Sequence, residues 1–242
     1  MGEIYNANKD VLPKKIPWLM KQTWTDILFL HYPVKKDVLE AHLPPNLMLD
    51  TFEGQGWVTI VSYLTKAIGI RGIPSVPMGR GIPGLNVRTY VKAGNKPGIY
   101  FFQLAIRHRV TAKLAKVLFH LPYIYLDMSL LKSEKQFHSE SSRIYSLPFK
   151  CQYNVHSQAS RMKQGTLGEW LLERYCFYTT NPQGKLLRCD IYHEPWIVHD
   201  VELMEVEHNI LSTALNISSK AINPIPHYSK QLSVHIWPLI SI

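Results

Sequence analysis

The stretch that decides the fold is residues 83–128, PGLNVRTYVKAGNKPGIYFFQLAIRHRVTAKLAKVLFHLPYIYLDM. Side chains alternate between two faces from Leu85 to Lys92, which predicts a strand. One face carries Leu85, Val87, Thr89 and Val91, and the other carries Asn86, Arg88, Tyr90 and Lys92. Turn-forming residues at 93–98 separate this strand from a second one at 99–106. The second strand is apolar on both faces, so we expect both faces to be covered.

A short amphipathic helix follows the two strands. Its apolar side chains recur at helical spacing and are predicted to face the core; they are Ala112, Leu114, Ala115, Leu118 and Leu121. Lys113, Lys116 and His120 are expected on the solvent side. Thr111 is a suitable N-cap, and Pro122 ends the helix because a residue before proline is disfavoured in helical geometry.

The rest of the chain has the same character. Further strands are predicted at 24–34, 47–52, 57–70, 124–131, 137–147, 149–157, 196–206 and 227–237, with a hairpin at 175–192. Short helices are predicted at 35–43, 166–174 and 207–215. The second of these begins with the capping box Thr166-Leu167-Gly168-Glu169. This pattern favours one β-rich domain with a few packed helices.

Several segments, taken in their order along the chain, resemble those of a known family. They are WTDILFLHYPV (24–34), LPPNLMLDTFEGQGWVTIVSY (43–63), LNVRTYV (85–91), KPGIYFF (96–102), LPYIYLDM (121–128) and ERYCFYTTNPQGKLLRCDIYHEPW (173–196). The chain resembles the acetoacetate-decarboxylase-like superfamily and, more closely, its YqjF-like branch, a domain of unknown function. The resemblance covers nearly the whole chain. It implies a mainly β (α+β) fold, a closed and mostly antiparallel barrel with a few short helices packed outside.

The resemblance also points to a chemical difference. In the decarboxylases, a Gly-Phe-Pro-Lys-type segment after a helix supplies the lysine that forms the Schiff base. The corresponding segment here is His120-Leu121-Pro122-Tyr123, so Tyr123 stands where that lysine would be. Ile124 stands where a second lysine would lower the pKa of the first, and Asn86 lies on the strand that carries a glutamate in the decarboxylases. The resemblance therefore implies the fold without acetoacetate decarboxylation, and we expect no cofactor.

Composition limits the class of protein. The 242 residues are 46% hydrophobic and 19% charged, as in a globular chain with a substantial core. We expect a single domain over residues 1–242, with an irregular N-terminal arm at 1–20. The polar N-terminus and the absence of a long apolar run predict a cytoplasmic protein without membrane contact. The net charge of +9 is scattered in pairs, which favours a solvated basic surface over a nucleic-acid site. A homo-oligomer remains open.

Two local features invite functional hypotheses. Residues 71–84 are rich in proline and glycine, which predicts a long loop that is either a lid over a pocket or a surface excursion. Gly79 to Gly84 match the letters of a dinucleotide fingerprint, but a strand follows where that motif needs a helix. Cys176 and Cys189 lie on the predicted hairpin, where an Asn181-Pro182-Gln183-Gly184 turn would place them on opposite faces of the sheet and exclude a disulfide. The histidine spacings, including His193 and His199, do not suggest a metal site.

The remaining candidate is a polar face inside the barrel. Its proposed ligand-binding residues are Asn86, Arg88, Tyr90, Tyr100, Tyr123 and Tyr125. An inward Arg88 requires a carboxylate, and a ligand could supply it. If the strand parity is reversed, Arg88 lies on an ordinary solvated face instead.

Three functions stay open on this basis. The first is a protein that holds a small organic acid or carbonyl compound in the barrel without a Schiff base. The second is a lyase or hydratase whose lysine is Lys113 or Lys116. The third is a surface-interaction protein that uses its basic patches.

Overall fold

The structure is a computed structural model that describes residues 16–131, 136–139, 149–217 and 222–242. Most of the N-terminal arm expected at 1–20 and most of the strand expected at 137–147 lie outside these residues.

The described residues form thirteen strands and four helices. The strands are β1 Met20–Val34, β2 Met48–Leu49, β3 Gly56–Ile70, β4 Val76–Ala93, β5 Lys96–Ile106, β6 Tyr123–Tyr125, β7 Met128–Leu131, β8 Gln136–Ser139, β9 Phe149–Arg161, β10 Cys176–Thr180, β11 Leu186–His193, β12 Ile197–His208 and β13 Ile225–Ser241. The helices are α1 Lys36–Glu40, α2 Arg109–Phe119, α3 Leu167–Leu172 and α4 Ile210–Leu215.

Seven strands close into a ring of backbone hydrogen bonds. The order is β1-β3-β4-β5-β10-β11-β13, and β13 pairs again with β1. Each of these pairings is antiparallel except that between β5 and β10. Strands β12, β9, β8 and β7 continue from β13 as an outer sheet. The ring confirms the predicted closed, mostly antiparallel barrel with a few short helices.

Two apolar cores lie on the two faces of β4. The barrel core, inside the ring, includes Ile27, Phe29, Tyr90, Leu104, Phe177 and Trp196. The outer core packs the opposite face of the barrel strands against the outer sheet and α4, and includes Leu28, Leu85, Val87, Phe149 and Leu211. Residues 83–91 are therefore covered on both sides, whereas the alternation in sequence suggested one polar face. Asn86, Arg88 and Tyr90 of β4 belong to the barrel interior.

The prediction of a proline-rich loop at 71–84 is wrong for most of that segment. Only residues 71–75 connect β3 to β4, and residues 76–84 are strand, including the segment that matched the dinucleotide fingerprint. Pairing with β5 begins at Gly84, so the earlier part of β4 pairs only with β3 and is a sheet edge. Prolines are tolerated there because an edge strand has backbone positions that need no N–H donor. Gly79 and Gly81 adopt positive φ in a large bulge, in which residues 78–81 of β4 lie opposite Lys66 of β3.

The hairpin of β10 and β11 has the predicted register. Cys176 pairs with Asp190, and Phe177 pairs with Cys189. The Asn181 N–H donates to the Lys185 carbonyl at 3.0 Å across the predicted turn. Cys176 and Cys189 are both buried, and neither forms a disulfide, as predicted from their position on opposite faces of the sheet. Thr166 is the N-cap of α3, as predicted, since Glu169 N–H donates to Thr166 Oγ1. The Glu169 carboxylate accepts from the Gly165 N–H and not from that of Thr166, so the capping box is displaced by one residue at its second bond.

Helix α2 differs from its prediction in orientation. Its N-cap is His108, whose side chain accepts from the Thr111 N–H, and not Thr111 itself. Ala112 and Phe119 are buried, whereas Leu114 and Leu118 are 54% and 57% exposed. The helix begins three residues earlier than predicted and presents its alanines to the barrel.

Candidate functional site

The barrel core encloses a cavity of about 90 Å³ between the ring strands, α2 and α3. Its walls are mainly apolar; they include Phe29, Val61, Ile99, Phe101, Leu104, Phe119 and Phe177. For scale, an engineered cavity of about 150 Å³ binds benzene. The cavity therefore suits a molecule of about six non-hydrogen atoms or fewer without rearrangement.

Arg88 reaches this cavity from β4 and is 8% exposed. Its Cζ lies 5.5 Å from the centre of the Phe29 ring, and its charge interacts with the Tyr90 hydroxyl. Nε and Nη2 have no hydrogen-bond partner, and within the described part of the chain no carboxylate forms an ion pair with Arg88. Burial lowers the pKa of Arg88, but an arginine keeps its charge in proteins. The cavity wall thus carries a cation with two free donors.

A buried chain of hydrogen bonds supports Arg88 from behind. The Tyr90 hydroxyl lies 2.6 Å from Thr59 Oγ1, which lies 2.8 Å from His31 Nδ1. Burial lowers the pKa of His31 well below its usual value, and the charges of His227 and Arg88 add to this effect. His31 is therefore neutral near pH 7. If Tyr90 donates to Thr59 and Thr59 donates to His31 Nδ1, the proton of the neutral imidazole lies on Nε2, which has no hydrogen-bond partner among the described residues.

A second polar cluster lies beside Arg88. The Tyr63 hydroxyl interacts with the side chains of Tyr123 and Asn86. Oδ1 of Asn86 has no hydrogen-bond partner among the described residues. The Tyr63 ring packs directly on the backbone of Gly84. A side chain at Gly84 would displace the ring, because its Cβ would lie 2.7 Å from it. Burial raises the pKa of Tyr63 to about 12 and, with Tyr63 beside it, that of Tyr123 well above its usual value. Both side chains are neutral phenols at pH 7.

Arg174 forms another wall of the cavity and, unlike Arg88, has partners in the protein. Its Nη1 lies 2.7 Å from an Asp50 carboxylate oxygen, and its Nε donates to the Trp170 carbonyl at 2.9 Å. The guanidinium also packs 4.3 Å from the Trp170 ring. His193 lies next to it, with Nε2 3.2 Å from the Arg174 carbonyl, and burial lowers the pKa of that imidazole.

The structure brings together part of the predicted site. Asn86, Arg88 and Tyr123 line the cavity, and Tyr90 lies behind Arg88. Tyr100 and Tyr125, predicted to join them, do not. Tyr100 packs beside Phe102 on the outer face of β5, because its neighbours Ile99 and Phe101 face inward. The Tyr125 ring lies under the Arg109 guanidinium at 4.2 Å.

Other cavity residues were not found from the sequence. Arg174 and His193 come from segments more than 80 residues away from Arg88, and the closure of the ring alone brings them there. The sequence signal for Arg174 was a lone arginine between an apolar helix and an apolar strand. His193 was noted in the sequence but interpreted as a structural residue. Among the described residues that line the cavity there is no lysine, and Lys113 and Lys116 are exposed on α2.

Two negative findings apply to the residues that the structure describes. No group of three or more His, Cys, Asp or Glu side chains is placed to hold a metal ion. No helix in this part of the chain is both long and apolar enough to cross a bilayer.

The fold is that of acetoacetate-decarboxylase-like proteins. The acetoacetate decarboxylase from Legionella pneumophila superposes with a TM-score of 0.59 at 14% identity, covering 97% of this chain and 94% of that one. The enduracididine biosynthesis enzyme MppR complexed with pyruvate superposes with a TM-score of 0.58 at 9% identity, covering 94% and 91%. At these identities the likeness concerns the fold alone.

The sequence identifies the family within this fold. Residues 21–233 match DUF2071, described as an uncharacterized conserved protein, and the chain belongs to that family. It is 39% identical over 244 residues to the uncharacterized protein YqjF of Bacillus subtilis (strain 168), covering 99% of this chain and 98% of YqjF. The resemblance drawn from the sequence segments is confirmed.

Proposed function

We propose that the barrel cavity binds a small organic acid or carbonyl compound that carries a carboxylate, and that it does so without forming a Schiff base. The observation that carries the proposal is the state of Arg88. It is buried at the cavity wall, and its Nε and Nη2 have no partner.

A carboxylate fits this wall for a physical reason. Removing an arginine from water costs several kcal/mol, and an anion with suitable geometry offsets that cost. Nε and one Nη of a guanidinium can bind the two oxygens of a carboxylate together. The free Oδ1 of Asn86 and the hydroxyls of Tyr63 and Tyr123 can then contact the rest of the ligand. An aromatic and aliphatic wall with few polar groups is the usual composition of a small-molecule site.

Two further observations support binding without a Schiff base. The resemblance places Tyr123 where the decarboxylases have their lysine, and a neutral phenol is not an amine nucleophile. The described residues that line the cavity include no lysine. A lyase that uses Lys113 or Lys116 is not supported, because both lie on the outer side of α2. MppR, which shares the fold, is complexed with pyruvate in one structure, so pyruvate belongs in any ligand screen.

A thermal-shift screen tests the proposal with matched arginine variants. The probes are acetate, propionate, glyoxylate and pyruvate, which have about six non-hydrogen atoms or fewer, each beside its amide. We expect at least one carboxylate to stabilise the native protein and not Arg88→Met. The control is Arg107→Met, which removes a half-exposed arginine paired with Asp127 and should respond like the native protein. A carboxylate that stabilises all three proteins equally contradicts the proposal.

Borohydride trapping tests the chemistry separately. The protein is incubated with pyruvate or acetoacetate, reduced, and measured by intact mass. We expect no stable adduct and no release of carbon dioxide above a heat-killed control. An adduct on a lysine, or carbon dioxide release that persists in Tyr123→Phe, would show that a Schiff-base lysine exists elsewhere in the chain.

A further inference from the structure

Helix α2 has three faces, and one of them is apolar and uncovered. Its core face is formed by Ala112, Ala115 and Phe119. Its second face is basic, with Arg109, Lys113 and Lys116, all exposed. Its third face carries large apolar residues spaced i, i+4, i+7 and i+8, which places them on one stripe. These are Val110, Leu114, Val117 and Leu118, each between 54% and 65% exposed.

The end of the β3–β4 hairpin is also apolar and exposed. Ile70 is 50% exposed, Ile73 is 60% exposed and Val76 is 56% exposed. Arg71, at the start of the connection, packs 5.3 Å from the Trp18 ring. The first part of β4 is the free edge of this segment, because its pairing with β5 begins only at Gly84, whereas β3 is paired on its other side with β1.

These two surfaces lie at the same end of the barrel, around one side of the cavity. Met20 lines the cavity and pairs with Ile70 of the hairpin. Ala115 and Phe119 line the cavity from α2. The Arg107 N–H, just before α2, donates to the Pro83 carbonyl of β4 at 3.1 Å. We call this surface, formed by 16–25, 66–82 and 107–120, the rim.

The charge of the rim is of one sign. Its three segments contain no Asp or Glu in their sequence. They carry Lys21, Lys66, Arg71, Arg80, Arg107, Arg109, Lys113 and Lys116. Asp127, outside the segments, pairs with Arg107. A surface that combines exposed leucine, valine and isoleucine with an excess of cations attracts a partner that is both apolar and anionic.

We propose that the rim docks on an anionic lipid surface, with α2 lying at the headgroup level and the hairpin end beside it. Lipid fits better than a second copy of the chain, because two copies joined through this face would bring like charges together. The apolar residues also protrude from separate elements and do not form a groove, which suits a deformable bilayer surface. This peripheral contact departs from the sequence-based expectation of no membrane contact, which rested on the polar N-terminus and the absence of a long apolar run. Leu114 and Leu118 had been predicted to face the core. It does not depend on the ligand proposed for the cavity.

Flotation of the full chain with lipid vesicles tests the proposal. Vesicles of phosphatidylcholine alone are compared with vesicles containing about 30 mol% phosphatidylglycerol. We expect binding to the anionic vesicles, at least about tenfold weaker binding to the neutral ones, and release at about 0.5 M NaCl. Absence of binding to the anionic vesicles overturns the proposal.

A pair of variants assigns the binding to the rim. The double variant Leu114→Gln and Val117→Gln should bind at least about tenfold more weakly, because both side chains would otherwise enter the lipid interface. Met48→Gln is the control: Met48 is also 50% exposed, but it pairs with Lys92 at the opposite end of β4. Both proteins should keep the native thermal unfolding and any carboxylate response. Equal vesicle binding by both, or a native dimer that only the double variant dissociates, contradicts the proposal.

Discussion

Arg174 and Arg88 line the same cavity, yet the protein treats the two cations differently. Arg174 is 4% exposed and has the Asp50 carboxylate, the Trp170 carbonyl and the Trp170 ring as partners. Arg88 is 8% exposed and has the Tyr90 hydroxyl and the Phe29 ring. Among the residues that the structure describes, one thus supplies a carboxylate to Arg174 and none supplies one to Arg88. The comparison indicates that Arg174 is part of the framework and that Arg88 is available to a ligand.

The expected changes in unfolding free energy differ between the two arginines. Breaking a buried ion pair by removing one partner costs about 3–5 kcal/mol, because the other charge is left uncompensated. Replacing a buried charge that has no ionic partner removes a desolvation cost and leaves no such charge behind. The same substitution, arginine to methionine, should therefore have opposite consequences at the two positions.

The largest effect is expected at Arg174. Arg174→Met leaves Asp50 without its cation and the Trp170 carbonyl without a donor. We expect the free energy of unfolding to fall by about 3 kcal/mol, measured by urea denaturation. A loss below about 1 kcal/mol would mean that water solvates the Asp50 carboxylate, whose side chain is 15% exposed. The ion pair with Asp50 would then not distinguish Arg174 from Arg88.

Acid should destabilise the protein through His31. Its folded pKa lies well below the usual 6.5 because of burial and the charges of His227 and Arg88. The unfolded chain therefore binds a proton that the folded chain does not. This contribution to stability is complete above about pH 6.5 and is lost as the pH falls towards the folded pKa, by up to about 1.4 kcal/mol per pH unit.

Denaturation of His31→Gln between pH 7 and pH 5 measures that contribution. The pH slope should become shallower by about 1.4 kcal/mol per unit, whatever the variant does to stability at pH 7. Arg88→Met should change it in the same direction, since it removes one of the charges that keep His31 neutral. Identical slopes in the native protein and His31→Gln would show that His31 takes up its proton in the folded state.

Removal of the Tyr90 hydroxyl behind Arg88 should lower the unfolding free energy by a smaller amount. Tyr90→Phe removes the hydroxyl that contacts Thr59 and Arg88 and leaves the buried ring in place. We expect a loss of about 1–2 kcal/mol in unfolding free energy and weaker binding of any carboxylate that depends on Arg88. The control is Tyr192→Phe, whose hydroxyl bonds Glu194 at the surface and should cost less than about 0.5 kcal/mol. Equal losses for the two variants would show that the Tyr90 hydroxyl has no special role.

Local patterns in the sequence predicted local structure well. The hairpin register from Cys176 to Asp190 followed from one turn sequence, because the turn type sets the pairing. Alternation along β4 placed Asn86 and Arg88 on a common face, and the structure shows that this face points into the barrel. The resemblance of segments across the chain supplied the barrel itself, which no local pattern could have done.

The rest depended on tertiary contacts that no local pattern contains. Arg174 and His31 reach the site through the closure of the ring, which joins β5 to β10 and β1 to β13. The proline-rich segment before Gly84 was misread, because its prolines lie on a sheet edge and its glycines in a bulge. The faces of α2 were misassigned because alanines, and not the larger leucines, pack on the barrel.

Substitution of Arg88 itself shows whether any anionic group of the protein compensates its charge, since none of the described residues does. The measurement is the unfolding free energy of ligand-free Arg88→Met by urea denaturation, beside the native protein and Arg174→Met. We predict that Arg88→Met is as stable as the native protein or more stable, within about 1 kcal/mol, while Arg174→Met is clearly destabilised. A loss of about 3 kcal/mol or more in Arg88→Met would show that the protein already compensates this charge, and would contradict the account.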